Sequence, residues 1–228
     1  MEPGIRRLQY EFGERIQWRY VMGGLIPGWK YFNDPLNAVS RPAQMGPVWM
    51  HASRVSGMPV DYSIWVKNPP ASSFLPCMAV KAVQFQSNKY AELYLRLLRE
   101  DCMLNGVNIS RQQELLKMAR TLHFYYDGFD VERFANDLRN GKAKSAFQSD
   151  MDEVKSRNIH RFPTLLIRAG GEALLVSGYR PYEFLIQLLT DITPALDKVR
   201  PQIDPDDYRN FWPTITEEEL RAATRLSS

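Results

Sequence analysis

Cysteine is scarce in this chain of 228 residues, which contains only Cys77 and Cys102. Both lie in segments whose pattern predicts helices, and neither has a His or a second Cys nearby at the spacing of metal ligands. A disulfide framework is therefore excluded, and nothing indicates a zinc site. We expect both thiols to pack as small hydrophobic groups. For Cys77 an alternative stays open, because it follows Pro76 in the first turn of a predicted helix, where exposed N–H groups lower a thiol pKa.

Long apolar runs and blocks of like charge are also missing. No stretch reaches the roughly 18 apolar residues of a membrane span, and the N-terminus lacks the apolar core of a signal peptide. The sequence therefore predicts a cytoplasmic protein with no membrane association. Lys plus Arg number 29 against 26 for Asp plus Glu, a net charge of +3, and the charges are interspersed. This balance gives no reason to expect nucleic acid as a partner.

Several motifs of catalysis and cofactor binding are absent as well. The chain has no Gly-x-Ser-x-Gly and no glycine-rich loop with a lysine, which excludes the common serine-nucleophile and phosphate-loop sites. Only three histidines are present. We expect structural roles for His51 and His123, whereas His160 directly precedes Arg161 and a proline loop. No metal and no cofactor are expected.

The apolar pattern predicts an α/β or α+β chain with a long helical middle. Residues 3–13 have the pattern of an amphipathic helix, and the alternation at 16–21 predicts a strand. Prolines together with Asn, Asp and Gly residues make 25–47 an irregular loop. Helices are then predicted at 48–56, 72–85, 88–105, 129–138 and 142–157. A further helix is predicted to begin at Ser110, where Ser110 and Gln113 form a capping box.

An aromatic group stands in and after this loop. It consists of Trp29, Tyr31 and Phe32, with Trp49 and Trp65 farther along the chain. Two interpretations stay open. In the first, the rings line a groove for an extended peptide. In the second, they cap the seam between the sheet and the helices.

The C-terminal half carries the most informative pattern. Phe162-Pro163-Thr164 opens a strand at 164–168, a Gly170-Gly171 turn leads to a second strand at 173–177, and a helix spans 181–192. Proline cannot donate a ladder hydrogen bond, so it suits the first residue of a strand. A trans peptide is the more frequent form before proline, but this order of elements favours a cis bond. A connector rich in Pro and Asp then leads to a capped terminal helix near Thr214.

These residues resemble the DsbA family of the thioredoxin-like superfamily, in the cytoplasmic branch that includes the FrnE-like proteins. The resemblance rests on Glu2-Pro3 before the apolar helix Ile5 to Phe12, on Gly23-Gly24 after the predicted strand, on the helical middle, and on Phe162-Pro163-Thr164. It spans roughly residues 1–192. It implies an α/β thioredoxin-like fold with an all-helical insertion: a core at 1–24 and 159–192, a loop and helical insertion at 25–158, and a C-terminal connector and helix at 193–228.

The chain departs from the family in one respect, because it has no Cys-x-x-Cys and no strand ahead of the first helix. In the family that first strand lies between the second strand and the strand after the cis-proline, so its loss exposes both strand edges. We therefore hypothesise that Met1 is an internal methionine of a longer protein, whose preceding segment holds the strand and the thiol pair. The codons upstream of Met1 test this, and an in-frame stop directly before it would refute it.

The resemblance implies thiol–disulfide exchange through a mixed disulfide as the family activity, with a protein or peptide thiol as substrate. No catalytic residue carries over, so we expect the chain as written to lack redox activity. The cis-proline loop of the family faces the active site. This implies a substrate-binding surface made of His160, Arg161, Phe162, Pro163 and Thr164. Positive charge at His160 and Arg161 would stabilise a thiolate there.

Two other functions stay open. Some cytoplasmic relatives of this shape are adaptors that present a regulator to an AAA+ protease, and a chain without the redox pair suits that use. Its partner would be a protein held in the thioredoxin-like groove. A further branch consists of glutathione-dependent isomerases, in which a serine replaces the first cysteine and glutathione is the partner. That serine, too, would lie upstream of Met1.

Overall fold

The computed structural model describes residues 1–225, and most of this length is helical. The α-helices are α1 (Glu2–Phe12), α2 (Met45–Ser56), α3 (Ile64–Lys67), α4 (Phe74–Gln84), α5 (Asn88–Met103), α6 (Gln112–Tyr125), α7 (Val131–Arg139), α8 (Lys142–Ser156), α9 (Tyr182–Ile192), α10 (Pro205–Phe211) and α11 (Glu217–Arg225). The strands are β1 (Thr164–Ala169) and β2 (Glu172–Ser177). None of the helices in this part of the chain is long and apolar enough to cross a membrane.

The chain divides into two compact units. The sheet unit comprises Met1–Trp18, Ser56–Met58 and Arg161–Ser228, and the helical unit comprises Arg19–Val55 and Pro59–His160. The sheet unit therefore contains both strands together with α1, α9, α10 and α11. The helical unit contains α3 to α8 and nearly all of α2.

The core of the helical unit forms because α4 to α8 each present apolar residues at helical spacing. Phe134 of α7 and Tyr94 of α5 are fully buried, with ring centroids 5.6 Å apart, and the Phe129 ring lies 6.2 Å from that of Phe134. The Tyr94 hydroxyl donates to the Leu115 carbonyl at 2.8 Å. The one polar atom of this tyrosine is thereby satisfied, which is the condition for burying it in an apolar core.

A buried ion pair fixes the beginning of the helical unit to this core. Lys81 Nζ of α4 lies 2.9 Å from Asp150 Oδ2 of α8, and both side chains are nearly buried. The same carboxylate accepts a hydrogen bond from Met22 N at 2.9 Å. A buried carboxylate without such partners would be strongly unfavourable. Asp150 therefore ties α4, α8 and the backbone at Met22 together.

The capping box predicted at Ser110 and Gln113 is wrong. The residue that precedes α6 as its N-cap is Arg111, whose side chain makes no capping hydrogen bond. The Ser110 hydroxyl instead donates to Asn108 Oδ1 at 2.6 Å and accepts from Ala71 N at 3.0 Å. A neighbouring side chain and a loop N–H thus occupy the hydroxyl that a cap would need.

The sheet unit is built around the hairpin of β1 and β2, which the sequence predicts correctly. The strands are antiparallel, with Thr164 opposite Ser177, and they are joined by the Gly170-Gly171 turn. Both glycines have positive φ, at 58° and 86°, as a two-residue hairpin turn requires. Leu165 packs against the apolar cluster formed by α1 and α9. This packing decides which face of the hairpin is covered.

The strand predicted at 16–21 is wrong. Ile16 has extended dihedral angles, with φ −116° and ψ 121°, and it packs with Trp18 into the apolar cluster of the sheet unit. Within residues 1–225, however, β1 and β2 pair only with each other. The segment has the alternating pattern of a strand, but in the described part of the chain no ladder forms along it. Alternation alone therefore does not make it a strand.

Helix α1 carries charged side chains into the core of the sheet unit. Glu11 is completely buried, and its carboxylate lies 2.9 Å from Arg7 Nε and 3.1 Å from Lys198 Nζ. The Tyr182 hydroxyl of α9 donates to the same carboxylate. Two cations and one hydroxyl thus surround one buried anion, which is the arrangement that makes a buried charge tolerable.

The C-terminal segment is an integral part of the same unit. Arg200 N donates to the Glu11 carbonyl at 3.0 Å. The Arg6 guanidinium lies 4.5 Å from the centroid of the Trp212 ring and also pairs with Glu219 of α11. These contacts combine a cation–π interaction with a buried ion pair. The predicted terminal helix is confirmed, and its contacts fix it to α1.

Candidate functional site

The Phe162–Pro163 peptide bond is cis, so the cis form favoured by the sequence pattern is confirmed over the trans alternative. Pro163 stands directly before β1. Its carbonyl accepts a hydrogen bond from Gly178 N, just after β2, at 2.8 Å. Proline loses no ladder bond at this position, because only its carbonyl is used. The end of the hairpin therefore fixes the backbone of the loop.

Thr164 fixes the loop at its other end. Its hydroxyl donates to the Arg161 carbonyl at 2.6 Å and lies 3.3 Å from Ser177 Oγ. Phe162, between them, leaves 37% of its surface exposed, and Arg161 is exposed as well. The loop thus presents an aromatic ring and a guanidinium on a backbone that is already held in place. A partner would not have to order this backbone on binding, which lowers the cost of association.

The structure separates one predicted site residue from the other four. Arg161, Phe162, Pro163 and Thr164 belong to the sheet unit, whereas His160 is the last residue of the helical unit. His160 Nε2 lies 2.6 Å from Asn158 Oδ1 within that unit. A role of these five residues in binding stays a prediction.

Two further residues beside the loop were missed in the sequence. Tyr179 leaves 48% of its surface exposed. A Cβ placed on Gly178 would lie 3.7 Å from a terminal nitrogen of Arg180 and 3.8 Å from Arg161 Cδ. Both arginines therefore approach the glycine that follows β2. The Gly178-Tyr179 step in the sequence marks the end of the strand, but it does not indicate where the next side chain points.

A small cleft of about 140 Å³ lies beside these residues, where α1 and α9 begin. Its walls include Arg7, Tyr179, Arg180 and Tyr182. The two helices approach closely at Gly4, where a Cβ would lie 3.5 Å from Tyr182 Cβ, in van der Waals contact. Arg180 and the first turns of two helices favour anionic groups, whereas Arg7 is already paired with Glu11 and the wall also contains Glu183. Among the described residues, no group of His, Cys, Asp and Glu has the arrangement of a metal site.

Both cysteines belong to the helical unit, where Cys102 is buried and Cys77 is partly buried. Both pack beside apolar residues, Cys77 against the core of α4 to α8 and Cys102 in a second apolar cluster. Burial raises the pKa of Cys77 to about 11 and the pKa of Cys102 to about 12. The packing role expected for both is therefore supported over a reactive role for Cys77. A thiol with such a pKa carries almost no thiolate near neutral pH.

We expect neither thiol to react with Ellman's reagent at pH 7 in the native protein, and both to react in denaturant. The ordinary thiol pKa is about 8.5, so the unfolded chain releases these protons before the folded chain does. The free energy of unfolding is thus unaffected below that pH and decreases as the pH rises from about 8.5 through the folded pKa values of about 11 and about 12. Urea unfolding at several pH values measures this decrease. It should be smaller in a C77A/C102A control, where only groups such as the buried tyrosines, whose pKa values are also raised, contribute to it. Rapid labelling of the native protein would contradict the assignment.

The aromatic group of the irregular loop packs largely on itself, within the helical unit. The Trp65 ring centroid lies 4.9 Å from that of Trp49 and 5.9 Å from that of Trp29, which in turn lies 5.4 Å from Phe32. Tyr31 stands apart, with 76% of its surface exposed. The peptide groove and the seam both stay predictions for this group.

A short hairpin entered through a cis-proline and packed against α1 and α9 defines this chain as a thioredoxin-like protein. The family model described as Thioredoxin matches residues 1–187, and the chain belongs to that family. The predicted α/β thioredoxin-like fold with a helical insertion is thereby confirmed.

Solved structures share this fold. A putative protein disulfide isomerase from Nitrosomonas europaea superimposes with a TM-score of 0.67 at 22% identity, covering 83% of this chain and 87% of its own. The cytosolic disulfide reductase DsbM from Pseudomonas aeruginosa gives 0.57 at 16% identity, covering 93% and 91%. These DsbA-like neighbours confirm the resemblance that the sequence indicated, and at such identities they establish the fold alone.

Curated relatives point to another use of the fold. The ClpXP adapter protein SpxH of Halalkalibacterium halodurans is 28% identical over 222 residues, which cover 96% of this chain and 71% of the relative. SpxH of Bacillus cereus strain ATCC 14579 is 27% identical over 209 residues, which cover 90% of this chain and 66% of the relative. The chain thus spans about two thirds of the length of these proteins.

Proposed function

We propose that this chain is a non-redox adaptor, which holds a protein partner on the surface around its cis-proline loop. The observation that carries the proposal is that the cis-proline loop is exposed to solvent whereas the thiols are not readily accessible. The loop at Phe162–Thr164 is held in place and exposes the Phe162 ring, whereas Cys102 is buried, Cys77 is partly buried, and burial raises the pKa of both thiols. Thiol exchange needs an accessible thiolate. Binding of a partner needs only the surface.

The names of the relatives indicate what an adaptor of this kind does with its partner. SpxH is described as a ClpXP adapter protein, and its similarity to the present chain runs through both compact units. We infer that the partner held here is delivered to a protease of the ClpXP type. The same inference favours a cytoplasmic location, which agrees with the description of the DsbM neighbour as cytosolic.

The second candidate is thiol chemistry that involves glutathione. It is favoured by a solved structure of DsbM with GSH, to which this chain is similar with a TM-score of 0.54. Arg180 lines the cleft, together with Glu183, and offers one guanidinium to a glutathione carboxylate. An insulin-reduction assay with reduced glutathione separates the candidates. The adaptor proposal requires a rate no higher than that of glutathione alone.

The partner surface is tested by capture and by two matched variants. A tagged chain with C77A/C102A is expressed in its source organism, with the protease subunit ClpP inactivated so that partners accumulate. We expect one protein to be recovered in near-stoichiometric amount. Phe162→Ala should then weaken binding of that purified protein by about tenfold, because exposed aromatic side chains dominate many interfaces.

Phe211→Ala is the control, since Phe211 lies in the same unit, leaves 41% of its surface exposed, close to the 37% of Phe162, and contacts Tyr10 and Arg200 rather than the residues beside the loop. We expect its affinity for the partner to stay within about twofold of the parent. Equal losses at both positions would point to a general effect on the unit. No loss at Phe162 would remove the cis-proline loop from the binding surface.

A further inference from the structure

The outer edge of β2 has free backbone hydrogen-bonding groups. Hydrogen-bonded pairs alternate along an antiparallel ladder. Pro163 and Gly178 are bonded through Gly178 N, so Leu165 with Val176 and Ile167 with Leu174 are bonded pairs as well. The N–H and C=O groups of the intervening β2 residues therefore point away from β1. These residues are Ala173, Leu175 and Ser177, and within residues 1–225 no other strand pairs with that edge.

This edge is apolar on both faces of the hairpin. Leu174 and Leu175 point to opposite faces, because side chains alternate along a strand. They leave 41% and 42% of their surfaces exposed. Natural edge strands are usually protected by charge, proline or a bulge. From Ala173 to Ser177 the strand has none of these, so the edge has the character of a pairing surface.

Opposite charges stand at the two ends of the edge. Glu172 begins β2, and Arg161 and Arg180 approach Gly178 just beyond its end. Among the described residues none of these three side chains takes part in an ion pair. A second strand that pairs antiparallel with this edge, and that also begins with an acidic residue and ends at arginines, would place its acidic end beside the arginines. The strand that has this charge order is β2 itself.

We propose that two copies of this chain associate through their β2 edges, around a twofold axis at Leu175. In this register Leu175 faces Leu175 of the second copy, and Ala173 faces Ser177, so all three outward residues are used. Leu174 then comes opposite Val176 of the second copy. Glu172 comes opposite Gly178, next to Arg161 and Arg180. The two hairpins form one continuous four-stranded sheet.

A second copy fits this edge better than an unrelated strand does. A twofold interface must be self-complementary, because the same patch serves both sides. The β2 edge meets this condition in backbone groups, in apolar side chains and in charge order. Because it covers Leu174 and Leu175 together, the association also removes the most exposed apolar residues of the hairpin from water.

The association is measured by sedimentation velocity on the full chain over about 5 to 500 µM, since the oligomeric state depends on concentration. We expect a discrete monomer–dimer equilibrium. Glu172→Arg should weaken it by at least about tenfold, because it puts like charges together. The triple variant E172R/R161E/R180E exchanges the charges between the two ends. Its dimer dissociation constant should return to within about threefold of that of the parent. Ala173→Pro removes an outward N–H and should also weaken it.

A second measurement does not depend on the charge variants being well folded. Cα atoms of a hydrogen-bonded antiparallel pair are about 5.5 Å apart, which a disulfide can span. Leu175→Cys should therefore form a covalent dimer under mild oxidation, whereas Ser149→Cys, exposed on α8, should not. A monomer at every concentration, a polydisperse series of larger species, or equal cross-linking at both positions would overturn the proposal.

Discussion

Phe134→Ala is expected to lower the free energy of unfolding of the helical unit by about 3–5 kcal/mol, the usual cost of truncating a buried phenylalanine. The ring is completely buried and contacts the rings of Tyr94 and Phe129. Its removal leaves a cavity among large, rigid neighbours that cannot close it easily. Urea unfolding followed by circular dichroism measures the loss.

The same substitution has a matched control in the same unit. Phe124, at the end of α6, leaves 79% of its surface exposed, so Phe124→Ala should change the stability by less than about 0.5 kcal/mol. Similar losses for the two variants would mean that Phe134 is not in the core. The account of the helical unit would then be wrong.

Glu11→Ala is expected to destabilise the sheet unit by about 3–5 kcal/mol. The substitution leaves the buried Arg7 and the partly exposed Lys198 without their shared anion. It also removes the acceptor of the Tyr182 hydroxyl. Hydrogen exchange should therefore quicken in α1 and in the C-terminal segment, which α1 holds. The core amides of the helical unit serve as the internal reference.

Two variants separate the buried charge from other effects of the change. Glu14→Ala, three residues later and exposed, should alter stability by less than about 0.5 kcal/mol. The double variant R7M/E11L replaces the buried ion pair by apolar side chains and should recover part of the loss, because a buried cation left without its anion is the main penalty. If Glu11→Ala behaved like Glu14→Ala, the buried network would not contribute to stability.

Local pattern predicted much of this fold. The hairpin, the turn at Gly170-Gly171 and α9 follow from alternation, turn glycines and helical spacing, all of which act over a few residues. The strand predicted at 16–21 failed because a strand needs a neighbouring backbone, which its own sequence does not reveal. The capping box at Ser110 failed because Asn108 competes for the hydroxyl.

The candidate site was predicted in part. Phe162-Pro163-Thr164 was found because a proline before a strand is a local signal, and the structure adds the bonds that fix the loop. Arg180 was missed because its position depends on how the chain turns after β2. Glu11 was missed because nothing in a helical pattern distinguishes a buried glutamate from a solvated one. The assignment of 1–24 and 159–192 to the thioredoxin-like core stays a prediction.

The central claim is that this chain acts on a protein partner without using a thiol. The most direct measurement is the rate at which purified ClpXP degrades the captured partner, with no added chain, with the parent chain and with C77A/C102A. We predict that parent and thiol-free chains accelerate degradation equally, by at least about fivefold over the reaction without chain, because a bound partner is presented at high effective concentration. Loss of the acceleration in a folded C77A/C102A chain would contradict the claim.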